Sequence, residues 1–126
     1  MANKKIFTEN APKPVGPYSQ AIVAGNTIYV AGQGPLNPQT GKMIGGTFEE
    51  QAVQTFENIK AILQAAGFSF ADVVRVNVYL SDLGDFPKLN EIYTRYFVAP
   101  YPARATVGAN LLFHTFIEVE CIAVKG

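Results

Sequence analysis

Between Thr47 and Gly67 the chain carries a full set of helix signals, and no other segment limits the fold so tightly. The Thr47 hydroxyl can accept a first-turn amide proton while Glu50, three residues on, reaches back to the cap. Ala52, Phe56, Ile59, Leu63 and Ala66 then repeat at spacings of four and three, which gathers them into one apolar stripe. Gly67 supplies the stop. A helix with one apolar stripe must bury it against another element, and the flanking segments offer strands.

Residues 23–30 read as two strand ends around a Gly25-Asn26 hairpin turn, since both residues tolerate the positive φ of such turns. A loop rich in glycine and proline follows over 32–46. Residues 73–80 form a strand by their β-branched content. Simple alternation puts Val74, Val76, Val78 and Leu80 on one face and Val73, Arg75, Asn77 and Tyr79 on the other. Asp85 and Pro87 open a second helix whose buried stripe is Leu89, Ile92, Tyr93 and Tyr96, with Pro100 as its end. Strands over 103–107 and 116–124 close the chain, joined by a loop around Leu112-Phe113-His114. This order predicts an α+β fold, a mixed sheet with both helices on one face. The other face keeps apolar residues that a monomer would leave wet, so self-association is expected.

The length of 126 residues suits a single domain, 1–126. With 48% hydrophobic and 16% charged residues there is apolar material for a core, which excludes disorder. Ten basic residues balance ten acidic ones, so nucleic acid is not an expected partner. One cysteine forbids an internal disulfide, and one cysteine with one histidine falls short of a zinc site built from those ligands. The first nine residues hold two lysines but no apolar stretch behind them, and no apolar run is long enough to span a bilayer. The expectation is a cytoplasmic domain without cofactor or metal.

Gly32-x-Gly34 is half of a dinucleotide fingerprint, but Pro35 follows it and no helix opens there. Walker, His-Glu-x-x-His and Gly-x-Ser-x-Gly sequences are absent. His114 reads as a partly exposed loop residue, and Cys121, alternating with Val119 and Ala123, as an inert small hydrophobe. Two features remain. Arg104 stands alone among small or apolar neighbours, and Glu118 and Glu120 share one strand face. They could form a structural salt bridge, or the glutamates could simply lie on a wet face. Alternatively, the arginine fork holds a substrate carboxylate while a glutamate handles protons or water.

Gly16-Pro17-Tyr18-Ser19-Gln20-Ala21, Val30-Ala31-Gly32-Gln33, the Asn90-bearing helix, Pro102-Ala103-Arg104 and Ile117-Glu118-Val119-Glu120-Cys121-Ile122-Ala123 together resemble the RidA family, also called YjgF, over essentially the whole chain. The resemblance implies a chorismate-mutase-like fold assembled as a homotrimer with clefts between subunits. It also implies cofactor-independent deamination of reactive 2-imino or enamine acids, such as 2-iminopropanoate and 2-iminobutanoate, to 2-keto acids and ammonia. Carried over by position, Arg104 pairs with the substrate carboxylate and Glu118 orients or activates water. Tyr18, Gly32 and Asn90 line the cleft, and the backbone near Thr106 meets the imine end. Ala31 stands where many relatives have serine, and Thr106 where many have cysteine. The interval from Arg104 to Glu118 is one residue shorter than usual, with Leu112-Phe113-His114-Thr115 in place of a Leu-Pro-containing loop. Two alternatives stay open: a regulatory trimer that binds small carboxylates without turnover, and the endoribonuclease or chaperone-like activity attributed to some relatives.

Overall fold

The computed structural model describes residues 3–126, so Met1 and Ala2, part of the segment read above for a leader, lie outside the described residues. Six strands run as β1 (Lys4–Ile6), β2 (Ala21–Ala24), β3 (Thr27–Gln33), β4 (Val73–Leu80), β5 (Ala103–Gly108) and β6 (Ile117–Val124). Two helices, α1 (Phe48–Ala65) and α2 (Phe86–Tyr93), separate β3 from β4 and β4 from β5. The sheet order is β1-β2-β3-β6-β4-β5, antiparallel except for the β4–β5 pair. Because β6 runs antiparallel to both β3 and β4, those two strands are parallel to each other. The chain therefore makes two successive crossovers, through α1 and then α2, in the same direction across the sheet. Crossovers share one hand, so both helices land on one face. β6 returns last and fills the gap between β3 and β4.

The helix signals at Thr47 are met in full. Thr47 Oγ1 accepts from the Glu50 amide at 3.2 Å, Glu50 Oε1 accepts from the Thr47 amide at 3.0 Å, and Gly67 takes φ +79° beyond the C-cap. Ala52, Phe56, Ile59 and Leu63 are buried against the sheet, joined by Ile28, Val76, Val78, Leu80, Ile117 and Val119. Fully burying such a residue contributes about 1.5–3 kcal/mol.

Three details depart from the pattern. A register shift between Val73 and Arg75 inserts a bulge opposite β6, so Val73 enters the core and Val74 is exposed, the reverse of simple alternation. The second helix ends at Tyr93, well before Pro100, and Asp85 caps it without a side-chain hydrogen bond. Tyr96 lies beyond that end yet still stacks on Phe56, with ring centroids 5.0 Å apart. Gly32 belongs to β3 rather than to the loop after it. Among the described residues no helix is long and apolar enough to cross a membrane.

Candidate active site

The face each functional side chain takes follows from strand register. On β6, Ile117, Val119, Cys121 and Ala123 are buried toward the helices, leaving Glu118 and Glu120 half-buried on the open face. They stand opposite Tyr79 and Asn77 of β4. On β5, Arg104 and Thr106 stand opposite Val76 and Val78, whose side chains point to the helices. Arg104 and Glu118 therefore leave the sheet on opposite faces. Counting strand spacing and rise, their Cα atoms are roughly 14 Å apart within one chain.

Arg104 is held without an acidic partner among the described residues. Its Nη2 donates to Asn90 Oδ1 at 2.9 Å, and its guanidinium carbon lies 4.7 Å from the Tyr93 ring centroid and 5.6 Å from that of Phe86. Phe86, Asn90 and Tyr93 fall at i, i+4 and i+7 on α2, one stripe of the helix turned to β5. Aromatic faces stabilise a cation without neutralising it, so the fork keeps its remaining donors for a ligand. Tyr101 and Pro102 help enclose the hollow of about 300 Å³ in front of it. Burial pushes the Tyr93 hydroxyl up to about 12, against the opposing pull of Arg104, so it stays protonated. That hydroxyl and Thr106 Oγ1 are both buried without a hydrogen-bond partner among the described residues.

A second hollow surrounds Glu118. A Cβ on Gly32 would meet the end of the Glu118 carboxylate, so a side chain there would require that carboxylate to swing aside from its present position. Tyr18 lies beside it, its hydroxyl accepting from the Val15 amide at 3.2 Å. With Leu36, Leu112 and Phe113 these residues line a cleft of about 270 Å³. Burial, and secondarily the neighbouring Glu120 charge, raises the Glu118 pKa above the ordinary carboxylate range. Glu120 is engaged elsewhere, accepting from the Tyr79 hydroxyl and, at 3.4 Å, from Asn77 Nδ2.

The sequence-predicted residues thus fall into two groups. Tyr18, Gly32 and Glu118 meet in one cleft, and Asn90 and Arg104 meet in another hollow with Thr106 two positions further along β5. The structural salt bridge between Arg104 and a β6 glutamate is not formed. Cys121 is buried, which pushes its thiol up to about 12 and makes it inert, and His114 is exposed. Sequence reasoning missed the aromatic platform under Arg104. Its signal was available in the Phe86, Asn90, Tyr93 spacing, but Tyr93 also reads as core, and it serves both roles.

A family model described as Endoribonuclease L-PSP matches residues 8–125. A RutC family protein of Pyrococcus horikoshii is 54% identical over 121 residues, covering 95% of this chain and 96% of that one. A 2-iminobutanoate/2-iminopropanoate deaminase of Dermatophagoides farinae is 43% identical over 126 residues, covering 98% of each. The crystal structure of RidA from the Antarctic bacterium Psychrobacter sp. superposes with a TM-score of 0.93 at 46% identity, covering 97% of this chain and 99% of that one. With the fold, its helix placement and its sequence matched along nearly the whole length, the chain belongs to the endoribonuclease L-PSP family, also called RidA or YjgF.

Proposed function

We propose that this protein is a cofactor-independent deaminase of 2-imino acids, working in an oligomer where the Arg104 hollow of one copy faces the Glu118 cleft of a neighbour. One observation carries the reading: a guanidinium without an acid partner and a carboxylate with a raised pKa stand on opposite faces of the same chain. Each is half of a site. The named deaminase among the relatives supports the chemistry.

The reaction asks for what these groups supply. Arg104 pairs with the substrate carboxylate and fixes the C=N carbon near the neighbour's Glu118. Glu118 accepts a proton as water adds to that carbon and the C=N π electrons move to nitrogen. The resulting carbinolamine collapses when the hydroxyl oxygen forms the carbonyl and the C–N bond breaks. Glu118 hands its first proton to the nitrogen as the carbinolamine forms, then takes the hydroxyl proton as the carbonyl forms and passes it to the departing nitrogen, so imine and water become keto acid and ammonia. Asn90 and Tyr93 orient the fork, Tyr18 closes the acid cleft, and Thr106 presents its strand backbone beside the substrate. The even balance of charge gives no support to cleavage of RNA.

Subunit complementation tests this reading. Arg104→Ala and Glu118→Gln should each lower kcat/KM by roughly thirty- to a thousandfold on imine generated by a threonine dehydratase, read as keto-acid release. When the two variants are unfolded together and refolded as mixed oligomers, about one quarter of the sites regain both groups and activity returns in that proportion. No recovery would sink the shared site. Saturable binding of keto acid without acceleration by the unmodified protein would make it a carboxylate-binding module instead.

A further inference from the structure

The cleft around Glu118 is walled largely by carbon. Val15, Tyr18, Leu36, Leu112 and Phe113 surround a single carboxylate. Leu112 and Phe113 are 71% and 51% exposed, an arrangement that costs solvation free energy unless something apolar covers them. Their placement is enforced. Phe113 and His114 adopt φ of +61° and +54°, consecutive non-glycine residues in the left-handed region, which L-residues populate rarely. The turn is pinned at its far end, where Thr115 Oγ1 donates to the Leu112 carbonyl at 3.3 Å and the Phe116 amide donates to Oε1 of the buried Gln51 at 2.9 Å. A strained, anchored turn that keeps two large apolar side chains at the rim of an acid cleft has the form of a specificity wall.

We infer that Leu112 and Phe113 are specificity-determining residues, and that the favoured substrates are 2-imino acids with branched or aromatic apolar side chains, not those with a single methyl group. This rests on the imine-deaminase reading. The imine carbon itself bears the side chain, so a substrate whose imine carbon meets Glu118 projects that side chain into the surroundings of Glu118. Those surroundings are apolar. A leucine-derived imine carries three more carbons than an alanine-derived one. At about fourfold per buried carbon, partial burial of the three should raise kcat/KM at least ~10-fold.

The test generates each imine in place with D-amino-acid oxidase acting on D-leucine or D-alanine, with catalase removing the peroxide. Semicarbazide traps the surviving imine, and the protein concentration that halves trapping gives relative kcat/KM. The unmodified protein should favour the leucine-derived imine at least ~10-fold, and Leu112→Ala should cut that ratio at least ~5-fold. Phe113→Gly should do the same, and since glycine accepts the positive φ, it removes the ring without straining the turn. Because the readout is a ratio, a general loss of activity does not mimic the effect. Acceleration with both imines but no leucine preference, or a ratio unchanged in both variants, overturns the specificity wall and leaves the deaminase reading standing. Acceleration with neither imine overturns both.

Discussion

At Glu118, folding and the proposed chemistry pull against each other. Burial and the adjacent Glu120 raise its pKa, so the folded state favours its protonated form. Its contribution to stability is therefore present below the unfolded value and is lost as pH rises through the folded value. The proposed base must be deprotonated, so turnover should rise over that same interval, and the working form is the one the fold favours less. Glu120→Gln removes the negative neighbour while keeping an acceptor for the Tyr79 hydroxyl. The acid limb of its kcat profile should move to lower pH with turnover retained, whereas Glu118→Gln should lose turnover with KM little changed. An unmoved limb, or a dead Glu120→Gln, would reassign the base. Pattern alone could not rank these two glutamates, because alternation puts both on one face. The structure separates them in space: the missing Cβ of Gly32 lies against Glu118, while Glu120 is bound to Tyr79 and Asn77.

At the scale of elements, α1 was legible because its cap, stripe and stop all act within a few residues of one another. Thr47→Ala deletes the hydroxyl that accepts from Glu50 at 3.2 Å and should lower stability by about 1 kcal/mol in urea unfolding at fixed protein concentration. An unchanged midpoint would mean that packing of the buried stripe alone holds the first turn. The bulge in β4 was not legible. It arises from the pairing of Val73 with Ala123 and of Arg75 with Ile122, and β6 lies far along the chain. The same dependence hid the Arg104 platform, because the periodicity of α2 identifies a buried stripe without saying which strand it meets.

For the whole molecule, the open face of the sheet is mixed. Ile22, Tyr29 and Ile122 form an apolar band, while Arg75, Asn77, Tyr79 and Glu120 form a hydrogen-bonded polar group beside it. A band of this kind flanked by directional polar groups suits a specific contact between copies better than loose association. Light scattering coupled to size exclusion should give about three times the mass of one chain, and Ile122→Lys, which puts a charge into the band, should reduce it. A stable monomer at micromolar concentration would remove the shared site as well, since one chain cannot bring Arg104 to Glu118.

The sequence by itself determined the order of the elements from the Gly25-Asn26 hairpin onward, though not the short β1, together with the cap and stop of α1. Each rests on hydrogen bonds and side-chain periodicity among near neighbours. It also singled out Arg104 and the pair Glu118 and Glu120 as residues out of keeping with their surroundings, with only the family resemblance favouring Glu118. Only the tertiary structure decided that they face apart. The side of the sheet a residue takes is set by its pairing register, here Arg104 against Val76 and Glu118 against Tyr79, and a shift of one residue would reverse either. Register depends on strands distant in the chain and on the core they jointly bury, which no local pattern encodes.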